Sequence, residues 1–200
     1  MPAGLHDLSL LQGLDLGKRS MRIHDVFRAW MQHAQRARLP TLHGELVDAC
    51  RPEGGWVALS EEAGYLWRWA CWHLAEAGGL TALRAVLGDF RWMARKLELT
   101  DVNATIADYE RLTEDEPLRL AGEGLRLSSH VLSREPAQLP GQLTGRLFSR
   151  GEEAIERLLE QAGRWRRGPW LRPLWPSLSQ AGGPLLRTLE GHTLEGHTLE

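Results

Sequence analysis

One tryptophan-rich stretch decides the fold: residues 60–79 read SEEAGYLWRWACWHLAEAGG. Ser60 is a good N-cap residue, and Glu61 follows it at the positive end of the helix dipole. Apolar residues then occupy nearly every side of the helix until Gly78–Gly79 ends it. We therefore expect a central helix that is covered on most sides, with its tryptophans in an aromatic core rather than around a ligand pocket. The tryptophans of this helix are Trp67, Trp69 and Trp72.

The sequence on both sides predicts further short helices and almost no strand. Asp89 and either Thr100 or Asp101 suit N-caps, Pro117 suits a first helical turn, and Pro40 suits a helix end. Apolar spacing predicts helices at 24–38, 42–50, 81–87, 90–97, 102–112, 117–134, 139–147 and 152–161. Residues 14–23 predict a small hairpin or wing. No strict repeat period is present, so the fold class is all-α, an irregular array of stacked helical hairpins.

After residue 163 the composition changes to Pro, Gly, Trp and Arg. We expect residues 164–184 to be extended and pinned to the helices by Trp170 and Trp175. The run Arg164-Trp165-Arg166-Arg167 combines cations with aromatic rings, as single-stranded nucleic-acid sites do. A solvated basic linker is the preferred interpretation because the chain as a whole carries a net charge of −2.

Composition and cysteine spacing set further bounds. A hydrophobic share of 42% and a charged share of 25% are typical of a globular protein. No export signal and no apolar run of roughly 20 residues is present, so we expect no membrane contact and a cytoplasmic location. Cys50 and Cys71 have no metal-site spacing, and we expect reduced thiols, with a disulfide between them as the alternative.

No catalytic or metal-binding pattern is present in the sequence. It contains no phosphate loop, HExxH, GxSxG or CxxC pattern. Cys71 and His73 diverge by about 200° around a helix, so they form no dyad. His192 and His197, with Glu190 and Glu195, could bind a metal, but we expect an unstructured tail with two histidines to bind it only weakly. We therefore expect no enzyme, no metal and no cofactor.

Several motifs together resemble a known family. The segment from Ser9 to Arg28, which contains Ile23-His24-Asp25, is similar to the end of the winged-helix subdomain of NB-ARC (STAND) signalling ATPases, whose motif is Met-His-Asp. Further similar stretches lie at 65–78, 89–97, 100–109, 127–132, 142–147 and 169–173. They resemble the helical linker domain of bacterial relatives of the apoptotic protease-activating factor. The stretch 183–193 resembles the opening of a WD-repeat propeller.

The resemblance implies a domain plan and a role. Residues 1–39 would be a winged-helix remnant, 40–163 the helical linker domain, 164–188 a Pro/Trp/Arg-rich linker, and 189–200 the truncated start of a WD repeat with a repeated Leu-Glu-Gly-His-Thr. The chain would be a non-catalytic scaffold between a nucleotide-binding switch and a WD-repeat sensor. Its partners would be proteins, namely a nucleotide-binding domain or a propeller, in the same chain or another.

The resemblance also names two site residues. His24 and Asp25 would be a vestigial ADP contact, since the histidine of the motif contacts the β-phosphate in that class. One charged hydrogen bond contributes about 1.5–3 kcal/mol, which is too little for useful affinity alone. The alternative function is a small winged-helix DNA-binding regulator, in which residues 5–38 bind DNA and the rest dimerises or senses. The absence of a basic face on that segment weighs against it.

Overall fold

The structure is a computed structural model that describes residues 11–15, 17, 20–147 and 151–184. These residues form ten α-helices and one small antiparallel sheet, which confirms the all-α prediction. The strands are β1 (Leu11–Asp15) and β2 (Ser20–Ile23). The helices are α1 (Asp25–Ala34), α2 (Leu39–Cys50), α3 (Gly64–Glu76), α4 (Leu80–Leu87), α5 (Phe90–Leu99), α6 (Val102–Tyr109), α7 (Glu116–Leu127), α8 (Ser129–Leu132), α9 (Leu139–Arg146) and α10 (Glu153–Arg164). Short 3-10 turns lie at Trp56–Ala58, Glu110–Leu112 and Pro136–Gln138.

The two strands form the hairpin predicted at the N-terminal side. β1 and β2 pair antiparallel, with Leu11 opposite Ile23 and Asp15 opposite Ser20. The chain then passes directly into α1, so the hairpin lies next to the first helical turn. This arrangement places the Ile23-His24-Asp25 motif at the junction between a strand and a helix.

The helices from α2 onward stack in chain order and then close on themselves. α2 packs on α3, α3 contacts α4, α5 and α6, α6 packs on α7, and α7 contacts α9. α10 returns to α5 and α7, where the side-chain carbonyl of Gln161 accepts the Phe90 N–H at 3.0 Å. The contacts give one continuous hydrophobic core from α2 to α10, as stacked helical hairpins require.

Local capping chemistry sets several helix starts as expected. The Asp89 carboxylate accepts the Arg91 N–H at 2.8 Å, and the Asp101 carboxylate accepts the Ala104 N–H at 2.8 Å. Asp115 caps α7, with Pro117 in the first turn. At the end of α3, Gly78 has φ 75°, which only glycine adopts without strain. These boundaries follow from residues within one turn of the helix end.

Several predicted helix boundaries are wrong. The helix predicted over 117–134 is divided at Ser128 into α7 and α8. α3 begins at Gly64, not after Ser60, whose hydroxyl instead accepts the Glu62 N–H at 3.3 Å in a preceding turn. Pro40 does not end α1, which stops at Ala34, but lies in the first turn of α2. Proline fits there because the first helical N–H groups have no intrahelical acceptor.

The aromatic core is only partly the predicted one. Trp67 is fully buried and stacks on Trp92 of α5, with ring centroids 4.7 Å apart, and Trp56 meets Trp92 edge-on at 6.3 Å. Trp69, in contrast, is 41% exposed, and Tyr65 is exposed as well. The prediction that α3 is covered on most sides is therefore wrong for one face. Its inner face meets α5 and α6, whereas its Tyr65–Trp69 face lies at the surface.

Candidate functional site

The motif residues His24 and Asp25 lie together at the start of α1. His24 is the N-cap, and its ring Nδ1 accepts the Val26 N–H at 3.3 Å. The Asp25 carboxylate pairs with Arg28 one turn further on, at 3.0 Å. Both side chains are exposed. The capping bond fixes the backbone of this turn, and the two side chains have the geometry of an exposed contact point rather than an enclosed pocket.

α1 carries an apolar face without a partner among the described residues. None of its residues is buried, Val26 is 72% exposed, and Trp30 is 61% exposed. Phe27 stacks on Trp30, with centroids 5.6 Å apart. A contiguous exposed apolar surface on a short helix is typical of a protein-contact surface. It differs from the basic helix that the DNA-binding alternative requires.

A polar cluster joins α2 to α3. The Nδ1 atoms of His43 and His73 lie 2.7 Å apart, and the Tyr65 hydroxyl lies 2.8 Å from His73 Nε2. The ring of Trp72 contacts both imidazoles, at 4.8 Å and 4.7 Å between centroids. Burial lowers the pKa of His73, which His43 lowers further. The sequence places His73 on an apolar helix, but it gives no signal that His43, 30 residues earlier, is its partner.

A buried ion pair joins α3, α5 and α6. The Lys96 ammonium contacts the Asp108 carboxylate and donates to the Arg68 carbonyl oxygen at 3.2 Å. Both charged residues are almost fully buried. Burial raises the pKa of Asp108, although the neighbouring ammonium opposes this. Cys71 lies beside the pair, and burial raises the pKa of its thiol well above the usual value, so Cys71 packs as a neutral core residue.

The segment after α10 is non-helical, as predicted, and it is fastened to the array. The Ala181 N–H donates to the Arg146 carbonyl oxygen at 3.0 Å, and the Gln180 amide donates to the Gly145 carbonyl oxygen at 2.7 Å. Arg146 in turn donates to the Ser179 carbonyl oxygen at 3.1 Å. Three hydrogen bonds therefore hold residues 179–181 against the end of α9.

The side chains that fasten this segment are not all the predicted ones. Trp165 meets Phe90 edge-on at 5.6 Å, and Trp170 is half-buried. Trp175 is 66% exposed, so the prediction that it pins the segment is wrong. The missed contacts involve Gly141 and Gly145, whose lack of side chains lets the Leu171 carbonyl and the Leu178 side chain approach α9. The sequence signal for these contacts was a pair of glycines four residues apart, which lie on the same face of a helix.

The arginines of the segment have local partners. Arg167 lies 5.9 Å from the Trp165 ring centroid and 3.2 Å from the Glu98 carboxylate, and Arg164 lies 3.6 Å from Glu160. Arg166 donates to the Gly163 carbonyl oxygen at 2.7 Å. These contacts favour the basic-linker interpretation over a free nucleic-acid surface, because paired cations are less available to phosphates.

Replacing Gly141 with alanine is expected to loosen the C-terminal segment. The new Cβ would lie 2.9 Å from the Leu171 carbonyl oxygen, a backbone atom that must move. Such overpacking costs about 1–3 kcal/mol, which corresponds to roughly fivefold or greater opening. Hydrogen exchange over residues 171–181 measures it. Gly163→Ala is the matched control, since its Cβ meets nothing within 4 Å; equal exchange in both variants would contradict the fastening role.

Three further expectations concern metals, membranes and the two cysteines. In the part of the chain that the structure describes, no group of three or more His, Cys, Asp or Glu residues is placed to hold a metal ion. His192 and His197 lie outside those residues. Among the described helices, none combines the length and apolarity that crossing a bilayer requires. Cys50 and Cys71 are both free thiols.

Comparison with known proteins identifies the array. The model of the APAF-1 helical domain matches residues 39–139, a range that begins with the first residue of α2 and ends with the first residue of α9. No curated protein and no solved structure gives a significant match. The APAF-1 helical domain is a non-catalytic helical region of STAND-like proteins and mediates protein interactions. The family match spans just over half of the chain, which therefore belongs to the APAF-1 helical domain family.

Proposed function

We propose that the chain is the helical arm of a STAND-type signalling protein, in which it links a nucleotide-binding switch to a WD-repeat sensor. The family match over residues 39–139 is the observation that carries this proposal. In it, residues 1–39 complete the winged-helix end of the switch, 40–163 form the spacer, 164–188 lead out of the spacer, and 189–200 begin the propeller. Bacterial origin and a cytoplasmic location belong to the same proposal.

The two ends of the array support a spacer role. On the N-terminal side, the hairpin and α1 expose the apolar Val26–Trp30 face, which suits packing against a neighbouring domain. On the other side, residues 179–181 are hydrogen-bonded to the end of α9. A domain attached after this segment would therefore keep a defined orientation relative to the helices, because the segment leaves from a fixed point.

His24 and Asp25 complete the nucleotide-contact part of the proposal. Their exposed position at the start of α1 lets a neighbouring domain bring a diphosphate to them. Since His24 supplies one charged hydrogen bond, of about 1.5–3 kcal/mol, ADP affinity requires the phosphate loop of a nucleotide-binding domain. The partner is thus a protein that carries the rest of the nucleotide site.

Sequencing the genomic locus on both sides of this coding sequence tests the domain plan. We expect a phosphate loop encoded upstream and WD repeats encoded downstream, either in frame or in adjacent genes. Unrelated sequence on both sides would contradict the proposed role between a switch and a sensor.

Binding to the encoded nucleotide-binding domain tests the contact surface. We expect the wild-type chain to bind the ADP-loaded domain in a fluorescence anisotropy titration, and Trp30→Asp to weaken binding about thirtyfold or more, as loss of a central aromatic contact does. Trp175→Asp is the matched control, since Trp175 is equally exposed but lies in the C-terminal segment. Absence of binding, or equal weakening by the two variants, would contradict α1 as the contact surface.

A further inference from the structure

The contact between α2 and α3 depends on two imidazoles that share one hydrogen bond. His43 comes from α2 and His73 from α3, with 2.7 Å between their Nδ1 atoms. At this distance one Nδ1 carries the hydrogen and the other accepts it. The Tyr65 hydroxyl, 2.8 Å from His73 Nε2, exchanges a second hydrogen bond with the same ring. His73 therefore uses both of its ring nitrogens in contacts inside the structure.

The geometry limits the number of protons that the pair can carry. A single added proton leaves one Nδ1–H donor facing one Nδ1 acceptor, so the hydrogen bond survives. If both rings are protonated, both Nδ1 atoms carry a hydrogen, and two positive charges face each other at 2.7 Å. The doubly protonated pair is therefore compatible only with separation of the rings, and hence of α2 from α3 at this point.

The surrounding groups do not remove this conflict. The titratable groups that face His73 are His43 from α2, and Tyr65 and Glu76 from α3. Glu76 favours a charged His73, but burial and His43 act against it and lower its pKa overall. Trp72 contacts both rings and shields them on one side. The pair thus resists the second proton that two free histidines would take up.

We propose that the His43–His73 pair is a proton-sensitive latch, which holds α2 on α3 at neutral pH and releases it on acidification. α2 is the first helix of the array and follows directly after α1, so release moves the exposed α1 surface and the His24–Asp25 motif relative to the rest of the array. This inference goes beyond the proposed function and stands even if the chain has a different partner.

The direction of the pH effect follows from proton linkage. Above the ordinary histidine pKa of about 6.5, both states are neutral and the latch is intact. As the pH falls below that value, the separated rings bind two protons and the closed pair at most one. A one-proton difference favours the open form about tenfold per pH unit. Since the closed pair holds at most one proton, the open form remains favoured as the pH falls further.

Hydrogen exchange of α2 tests the latch in the intact chain. We expect protection of residues 39–50, corrected for the intrinsic pH dependence of exchange, to fall about tenfold between pH 6 and pH 5. Protection of α7, residues 116–127, is expected to stay constant. In His43→Gln, whose amide can hydrogen-bond but not titrate, the fall should be clearly smaller, because only His73 can then take up a proton. The control His33→Gln removes an exposed histidine of α1 and should leave the fall unchanged.

Two results would overturn the proposal. One is constant α2 protection across this pH range in the wild-type chain; the other is an equal loss in wild type and His43→Gln. If His43→Gln does not fold, imidazole nitrogen NMR of the wild-type chain decides the matter. The latch requires the His73 ring to stay neutral below the ordinary histidine pKa of about 6.5, and protonation of His73 at that value would contradict it.

Discussion

Replacing Lys96 with methionine is expected to lower the free energy of unfolding by about 3–5 kcal/mol. The substitution keeps an unbranched side chain of similar length but removes the charge that faces Asp108. The carboxylate then stays buried with only the Arg111 guanidinium near it, at 4.0 Å, which is costly in a low-dielectric interior. Domains of this size are stable by roughly 5–15 kcal/mol, so the loss is a large share of the total. Urea unfolding monitored by circular dichroism measures it.

Two controls separate charge burial from simple loss of an ion pair. The double variant Lys96→Met/Asp108→Leu removes both charges and is expected to be more stable than the single variant, because neither member of the buried pair is left without the other. Arg157→Met breaks the exposed pair with Glu153 and should cost about 0.5 kcal/mol or less. If the double variant were less stable than Lys96→Met, the pair would not be the source of the effect.

Replacing Trp92 with alanine is expected to cost about 3–5 kcal/mol. Trp92 is almost fully buried, stacks on Trp67 and meets Trp56, so its removal leaves a cavity where α3, α5 and the turn before α3 come together. Thermal and urea unfolding both report this loss. Trp175→Ala is the matched control: its ring is 66% exposed, and the cost should lie within about 0.5 kcal/mol. Similar costs at both positions would contradict this assignment of the core.

The helices were predictable because their signals are local. Apolar spacing located α4, α5 and α10. Asp89 was predicted as the cap of α5, and Asp101 was one of two candidates, with Thr100, for the cap of α6. The helix start predicted at Ser60 is wrong because a serine hydroxyl caps turns as readily as helices. Whether Ser60 caps a turn or a helix depends on the backbone of residues 60–64, and that backbone depends on how α3 packs.

Side-chain partners were not predictable, because they join distant parts of the chain. Lys96 falls in phase with the apolar residues of α5, which signals a buried charge, but nothing in the sequence pairs it with Asp108 on the next helix. The same holds for His43 and His73, which meet only after α2 packs on α3. Trp69 and Trp175 were expected to pack inside the protein, but both rings are exposed. A tryptophan count predicts burial on average, and packing decides which rings remain at the surface.

The motifs that carry the family resemblance lie partly inside and partly outside the range of the family match. The APAF-1 helical domain match covers the similar stretches 65–78, 89–97, 100–109 and 127–132, whereas 142–147 and 169–173 lie beyond it. The Ile23-His24-Asp25 motif lies outside the matched range, at an exposed helix start, so its nucleotide role stays a prediction. Residues 189–200 lie outside the described structure, and the WD-repeat start also stays a prediction.

In the proposed role, the helical array and its C-terminal segment form one rigid spacer. Spin labels at Glu45→Cys in α2 and Ser177→Cys in the segment test it most directly, since both positions are exposed. Cys50→Ser removes the half-buried thiol, and buried Cys71 does not react. At neutral pH, pulsed electron spin resonance should give one narrow distance distribution, which broadens in Gly141→Ala. A broad distribution in the unaltered spacer would contradict the account.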